Sequence, residues 1–161
     1  MTGLKELMLR RPRLTLAVAE SITCGRVQAA IGAESGASAY FLGGITAYSL
    51  EQKVKLLGVN RAHARRENCV SQRVAVEMAQ GAGKLFGADL AVATTGYAEP
   101  SPADGIKVPL AWWALCHRQR RGAEIISGRL ELPGATRIQV QERVAQEVLG
   151  RLQAYLRELR K

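Results

Sequence analysis

The chain has 161 residues, 47% of them hydrophobic and 23% charged, with a formal net charge of +9, a length that fits one domain, spanning 1–161, with a true core. No apolar run approaches a membrane span, Met1 to Arg13 lacks the apolar stretch of a secretory signal, and the widely spaced Cys24, Cys69 and Cys116 form neither a disulfide framework nor a zinc pattern. The expectation is a cytoplasmic protein whose basic residues, scattered in short clusters with few aromatics between them, are solvated surface and not a nucleic-acid interface.

Leu4, Leu7 and Met8 share one face of a predicted helix over Thr2–Arg11. Leu14–Ala19 reads as a buried strand and Thr23–Ala33 as the helix after it. Glu34–Ser38 is rich in turn formers, and Phe41–Tyr48 reads as a second strand. Ser49-Leu50-Glu51-Gln52 has capping-box spacing and opens a helix that Gly58 ends after Leu57. Val70–Phe86 is a long helix capped by Ser71, with Val74, Met78 and Leu85 inward. Leu90–Thr94 is an apolar strand and Thr95–Lys107, with Pro100 and Pro102, a loop. Val108–His117 and Glu124–Leu132 are strands joined by the basic turn Arg118–Gly122, hence antiparallel. Thr136 and Gln139 repeat the capping-box spacing, and the helix they open carries the stripe Val140, Val144, Val148, Leu152, Leu156 and Leu159. Helices before, between and after the strands predict an α/β fold: a three-layer α/β/α domain with a mixed parallel and antiparallel sheet.

The chemistry concentrates at Ala19-Glu20-Ser21-Ile22-Thr23-Cys24-Gly25, where a strand runs into a helix. Free N–H groups and the positive end of the helix dipole meet there. A hydroxyl at such a junction is either a helix cap or a nucleophile beside an oxyanion site. Cys24 is either a small packing residue or a second nucleophile. Lys53, in the first turn of the helix after Ser49, is either an ordinary exposed lysine or a base. A lysine set in apolar surroundings near a helix N-terminus loses its proton more readily than a free one.

The motifs in their order carry a resemblance. Ala19–Gly25 is similar to A-E-S-C-T-G-G. Gly36-Ala37-Ser38, Phe41, Gly43-Gly44, Tyr48-Ser49, Glu51, Lys53 and Leu57-Gly58-Val59 follow G-S-S-x-x-F-x-G-G-x-x-x-Y-S-N-E-x-K-x-x-x-L-G-V. Val70-Ser71, Val74-Ala75, Glu77-Met78-Ala79 and Gly81-Ala82 follow V-S-x-x-V-A-x-E-M-A-x-G-A. Phe86-Gly87-Ala88-Asp89, Ala91-Val92-Ala93 and Thr95-Gly96 follow F-G-A-D-x-A-V-A-x-T-G. Together they resemble the C-terminal domain of the CinA family of competence/damage-inducible proteins, which also occurs alone as nicotinamide mononucleotide amidohydrolase.

The resemblance implies an amidohydrolase without metal or cofactor, acting on a pyridine nucleotide as its small-molecule substrate. It implies Ser21 as nucleophile, Lys53 as base and Tyr48 as an orienting group. Thr23, Gly25, Thr95, Gly96 and Arg137 would bind substrate, with Arg137 meeting a phosphate. The departures are specific. The family's T-G-I-A-G-P-G-G-G is here Thr95-Gly96-Tyr97-Ala98-Glu99-Pro100-Ser101-Pro102-Ala103, with Asp104 next, so Glu99 and Asp104 bring carboxylates where glycines admit an anion. Cys24 stands in place of a glycine and Leu50 in place of the asparagine. Two further readings follow: a divergent relative that binds or hydrolyses another small ligand, and, more weakly, a basic accessory protein on nucleic acid. Self-association through Phe41–Tyr48 is an open expectation.

Overall fold

A buried central strand organises the molecule. The computed structural model describes residues 3–161. Strand β1 (Leu16–Glu20) is buried along its whole length, as its unbroken apolar run requires of a strand covered on both faces. Strands β2 (Phe41–Thr46) and β3 (Leu90–Tyr97) lie parallel to it on either side. Strands β4 (Leu110–Gln119) and β5 (Gly122–Glu131) follow antiparallel and turn at Arg120-Arg121. Among the described residues the sheet order is β2-β1-β3-β4-β5.

The two-residue period of the strands divides the core in two. Leu16, Val18, Leu90, Val92, Trp113 and Leu115 face helices α1 (Leu4–Leu9), α2 (Arg26–Gly32) and α6 (Arg137–Leu159). The opposite face is built of Ala17, Ala19, Ala91, Ala93, Ala114 and Cys116, and it meets α3 (Leu50–Leu57), α4 (Arg61–Arg66) and α5 (Gln72–Phe86). Small residues on both partners bring α5 close to the sheet, since Ala75, Ala79 and Ala82 lie buried on its inner side. The result is the expected α/β/α arrangement around a mixed sheet. The connection after β1 leads to β2 on one side, and the chain then returns to β3 on the other. This reversal opens a crevice at the carboxyl end of β1.

Several boundaries differ from the sequence expectation. Helix α1 is limited to Leu4–Leu9, and Thr2 lies outside the described residues. Strand β2 stops at Thr46, which leaves Tyr48 in the link to α3. Helix α2 begins at Arg26 and not at Thr23, because a tight turn with Cys24 (φ 49°) and Gly25 (φ 95°) precedes it. Thr95–Tyr97, expected in a loop, extend β3 because they pair with Trp112, Ala111 and Leu110 of β4. Helix α4 gave no apolar stripe to read; of its residues Ala64 alone is buried. Leu85 and Leu159 are exposed at the margins of their stripes. Among the described residues no helix is long and apolar enough to cross a membrane.

Candidate active site

The last rung of β1 against β3 runs from Ser21 N–H to Thr94 O. Just before it, the buried Glu20 carboxylate turns toward the start of α2. It accepts hydrogen bonds from the Thr23 hydroxyl and from the N–H groups of Gly25, Val27 and Gln28. A strand-end carboxylate therefore caps the helix in place of a local side chain, and negative charge at a helix N-terminus is favourable. The Thr23 hydroxyl is also paired with the Thr94 hydroxyl at 2.7 Å. This scaffold fixes the turn and holds Ser21 at the mouth of the crevice, 8% exposed. The Ile22 and Thr23 N–H groups donate to no acceptor among the described residues.

Lys53 reaches Ser21 from the neighbouring layer. Ser49 caps α3 by accepting from Gln52 N–H, as its spacing predicts, and Lys53 follows at the next position. Its side chain is 1% exposed. The Lys53 Nζ donates to Ser21 Oγ at 2.9 Å and to the Tyr48 carbonyl at 2.6 Å. Burial pushes the lysine below its ordinary pKa, with the Cys69 thiol opposing that shift. An amine so placed, within hydrogen-bond reach of a hydroxyl, has the geometry of a general base beside its nucleophile.

Ser21 and Lys53 open into a cavity of about 330 Å³. Tyr48, Thr95, Gly96 and Arg137 share its wall with Asn68, Cys69 and Glu99. Thr95 donates its hydroxyl proton to the Cys69 carbonyl at 2.7 Å, and Asn68 donates to the Tyr97 hydroxyl at 2.9 Å. Asn68 (φ 46°) and Cys69 (φ 62°) are consecutive left-handed residues, so this wall is a sharply turned segment. Arg137, the first residue of α6, donates to Glu99 at 2.9 Å and to the Tyr48 hydroxyl at 3.0 Å. Glu99 raises the guanidinium pKa further.

The structure thus brings Ser21, Lys53, Tyr48, Thr95, Gly96 and Arg137 to one cavity. It does not bring Thr23 and Gly25 there: the Thr23 side chain is spent on Glu20 and Thr94, and Gly25 caps α2 behind the turn. Tyr48 meets Lys53 through its backbone carbonyl, while its ring is 56% exposed. Asp104 does not line the cavity and accepts from the Ser101 hydroxyl. His63 and His117 are engaged elsewhere, with Ser71 and Tyr155. Sequence reasoning missed Glu20, Asn68 and Cys69. The signal for Glu20 was an acid at the end of an apolar strand; the other two carried none. Among the described residues no three His, Cys, Asp or Glu side chains gather as metal ligands.

A family model described as the CinA C-terminal domain matches residues 4–156. A CinA-like protein of Chlorobium limicola is 38% identical over 154 residues, covering 94% of this chain and 36% of that protein. A CinA-like protein of Picosynechococcus sp. is 46% identical over 109 residues, covering 65% of this chain and 26% of that one. The chain thus spans about a third or less of the curated relatives it matches. Among solved structures, a competence-damaged protein (CinA) superfamily protein of Klebsiella pneumoniae superposes with a TM-score of 0.87 at 28% identity, covering 98% of this chain and 95% of that one. A competence/damage-inducible protein of Enterobacter asburiae gives a TM-score of 0.84 at 28% identity, with 94% and 96% covered.

Proposed function

The chain belongs to the CinA C-terminal domain family, and from that premise we propose that it is a serine–lysine amidohydrolase of a small carboxamide. The reference substrate is nicotinamide mononucleotide, which would yield nicotinate mononucleotide and ammonia. The observation that carries the reading is the 2.9 Å contact between the buried Lys53 Nζ and Ser21 Oγ.

Neutral Lys53 takes the Ser21 hydroxyl proton as Oγ bonds to the amide carbon. The carbonyl oxygen becomes an oxyanion, and the unpartnered N–H of Ile22, in the cavity wall, is its candidate donor. Collapse breaks the C–N bond, and Lys53 returns its proton to the leaving nitrogen, which departs as ammonia. Water then attacks the ester, Lys53 accepts its proton, and release of the acid restores the Ser21 hydroxyl. The Tyr48 carbonyl holds the amine aimed at Oγ throughout.

The test is ammonia release from nicotinamide mononucleotide by the purified protein beside Ser21→Ala. Turnover lost in the variant supports the reading. Turnover retained in the variant overturns the role of Ser21, and no turnover in the folded wild type overturns this substrate. A second reading, a relative that keeps the chemistry but takes a different amide, is favoured by one contact: Glu99 already occupies Arg137.

A further inference from the structure

We infer that Glu99 sets the charge selectivity of the cavity, which takes a phosphate-free carboxamide on a neutral or cationic ring in preference to its phosphorylated form. The inference rests on reading the cavity as an amidohydrolase site and names the substrate class of that site.

Three charged side chains line the cavity among the described residues: Lys53, Glu99 and Arg137. In the proposed reaction Lys53 serves as the uncharged amine. Arg137 is then the remaining cation, and one N–H of each terminal nitrogen is engaged, one by Glu99 and one by Tyr48. A phosphate approaching this guanidinium must displace the Glu99 carboxylate or sit beside it, and like charges at that range repel. The Glu99 and Arg137 side chains are 62% and 45% exposed, so their pairing adds little to the fold. Its main effect falls on what enters.

Several backbone donors near the guanidinium are already used. A helix N-terminus is a common phosphate site, but the start of α6 is partly occupied by its own capping box. Gln139 N–H donates to the Thr136 hydroxyl, and Thr136 N–H donates to the Gln139 side chain. In the loop after β3, the N–H groups of Ser101, Asp104 and Gly105 all donate within the loop, and Pro100 and Pro102 have none. The cationic side chain, the helix end and the loop amides are each partly committed. What the wall does present is a carboxylate beside the exposed Tyr48 ring, a pairing that suits a cationic heterocycle.

The experiment compares nicotinamide riboside with nicotinamide mononucleotide, the same amide without and with phosphate, in the wild type and in Glu99→Gln. The expected wild-type kcat/KM favours the riboside by about tenfold or more. In Glu99→Gln the ratio moves toward the mononucleotide by about tenfold, and the move shrinks as salt rises. A wild type that prefers the mononucleotide, or a ratio that Glu99→Gln leaves in place, overturns the inference. Calorimetric binding of both compounds to both proteins gives the same ratio without turnover. Absent ammonia with the riboside bound more tightly overturns the amidohydrolase reading and supports the charge selectivity. Binding of neither compound overturns the selectivity.

Discussion

Ser21 and Lys53 are 32 positions apart in sequence, and their side chains meet at 2.9 Å where β1 ends. The strand end supplies one partner and the first turns of α3 the other. Their contact depends on β1 and β2 being adjacent and parallel, because that pairing carries the start of α3 back over Ser21.

Lys53→Met should lower turnover by about a thousandfold, with Lys53→Arg no better because a guanidinium does not give up its proton near neutrality. In the wild type, kcat/KM should rise with pH through a value below the ordinary lysine pKa of about 10.4, since burial lowers it. A pH–rate profile checks this, and a base limb at the ordinary lysine value would count against Lys53.

The same lysine should weaken the fold. With its pKa depressed on folding, its contribution to stability is full above the ordinary lysine pKa and is lost as pH falls through the folded value. Lys53→Met removes that dependence. It should raise stability at neutral pH by about 1–2 kcal/mol, measured by urea denaturation, while abolishing turnover. Loss of stability in this variant would show that the amine is held at no cost.

Glu20→Ala should cost about 3 kcal/mol, because three backbone N–H groups and the Thr23 hydroxyl lose their shared acceptor in a buried place. Turnover should fall with it, as the turn bearing Ser21 loosens. Thermal unfolding and ammonia release, measured together, separate this from a change that affects stability alone.

Gly96→Ala should destabilise by about 2–3 kcal/mol. A Cβ there would lie 2.3 Å from the Leu110 carbonyl oxygen and 2.8 Å from both Ala111 Cα and Ile22 Cδ1. Two of these are backbone atoms of the paired strand and cannot yield cheaply. A midpoint in urea equal to that of the wild type would contradict the tight approach of β3 to β4.

Cys24→Gly should be neutral or stabilising by up to about 1 kcal/mol. The left-handed φ of 49° strains a residue with a Cβ, while glycine adopts it freely and loses part of the gain to its greater unfolded-state entropy. A loss of more than that in denaturant titration would mean the thiol packs usefully.

Periodicity and capping made most of the architecture legible. The Ser49 and Thr136 caps, the Gly58 stop and the stripe from Val140 to Leu156 stand where their spacing put them, because these are local effects. What depended on distant partners was hidden. Thr95–Tyr97 are strand by virtue of β4, and the Gly and Pro residues nearby point locally to a loop. Thr23 has the look of a helix cap, but Glu20 takes that office from the end of β1, so the threonine turns inward. Ser21 and Lys53 could be nominated one at a time; their contact is a property of strand order. The Glu99–Arg137 pair joins residues 38 positions apart and leaves no trace in local pattern.

The residues around the cavity stand on two kinds of ground. Ser21 and Lys53 are anchored in the sheet and a capped helix, whereas Glu99 rides on an exposed loop that touches neither anchor through a hydrogen bond. A change at the loop is therefore a single mutational step that spares the reacting pair. Descendants of one ancestor can keep an identical reaction while exchanging the molecules they accept, and inherited chemistry is a poor guide to diet in such a lineage.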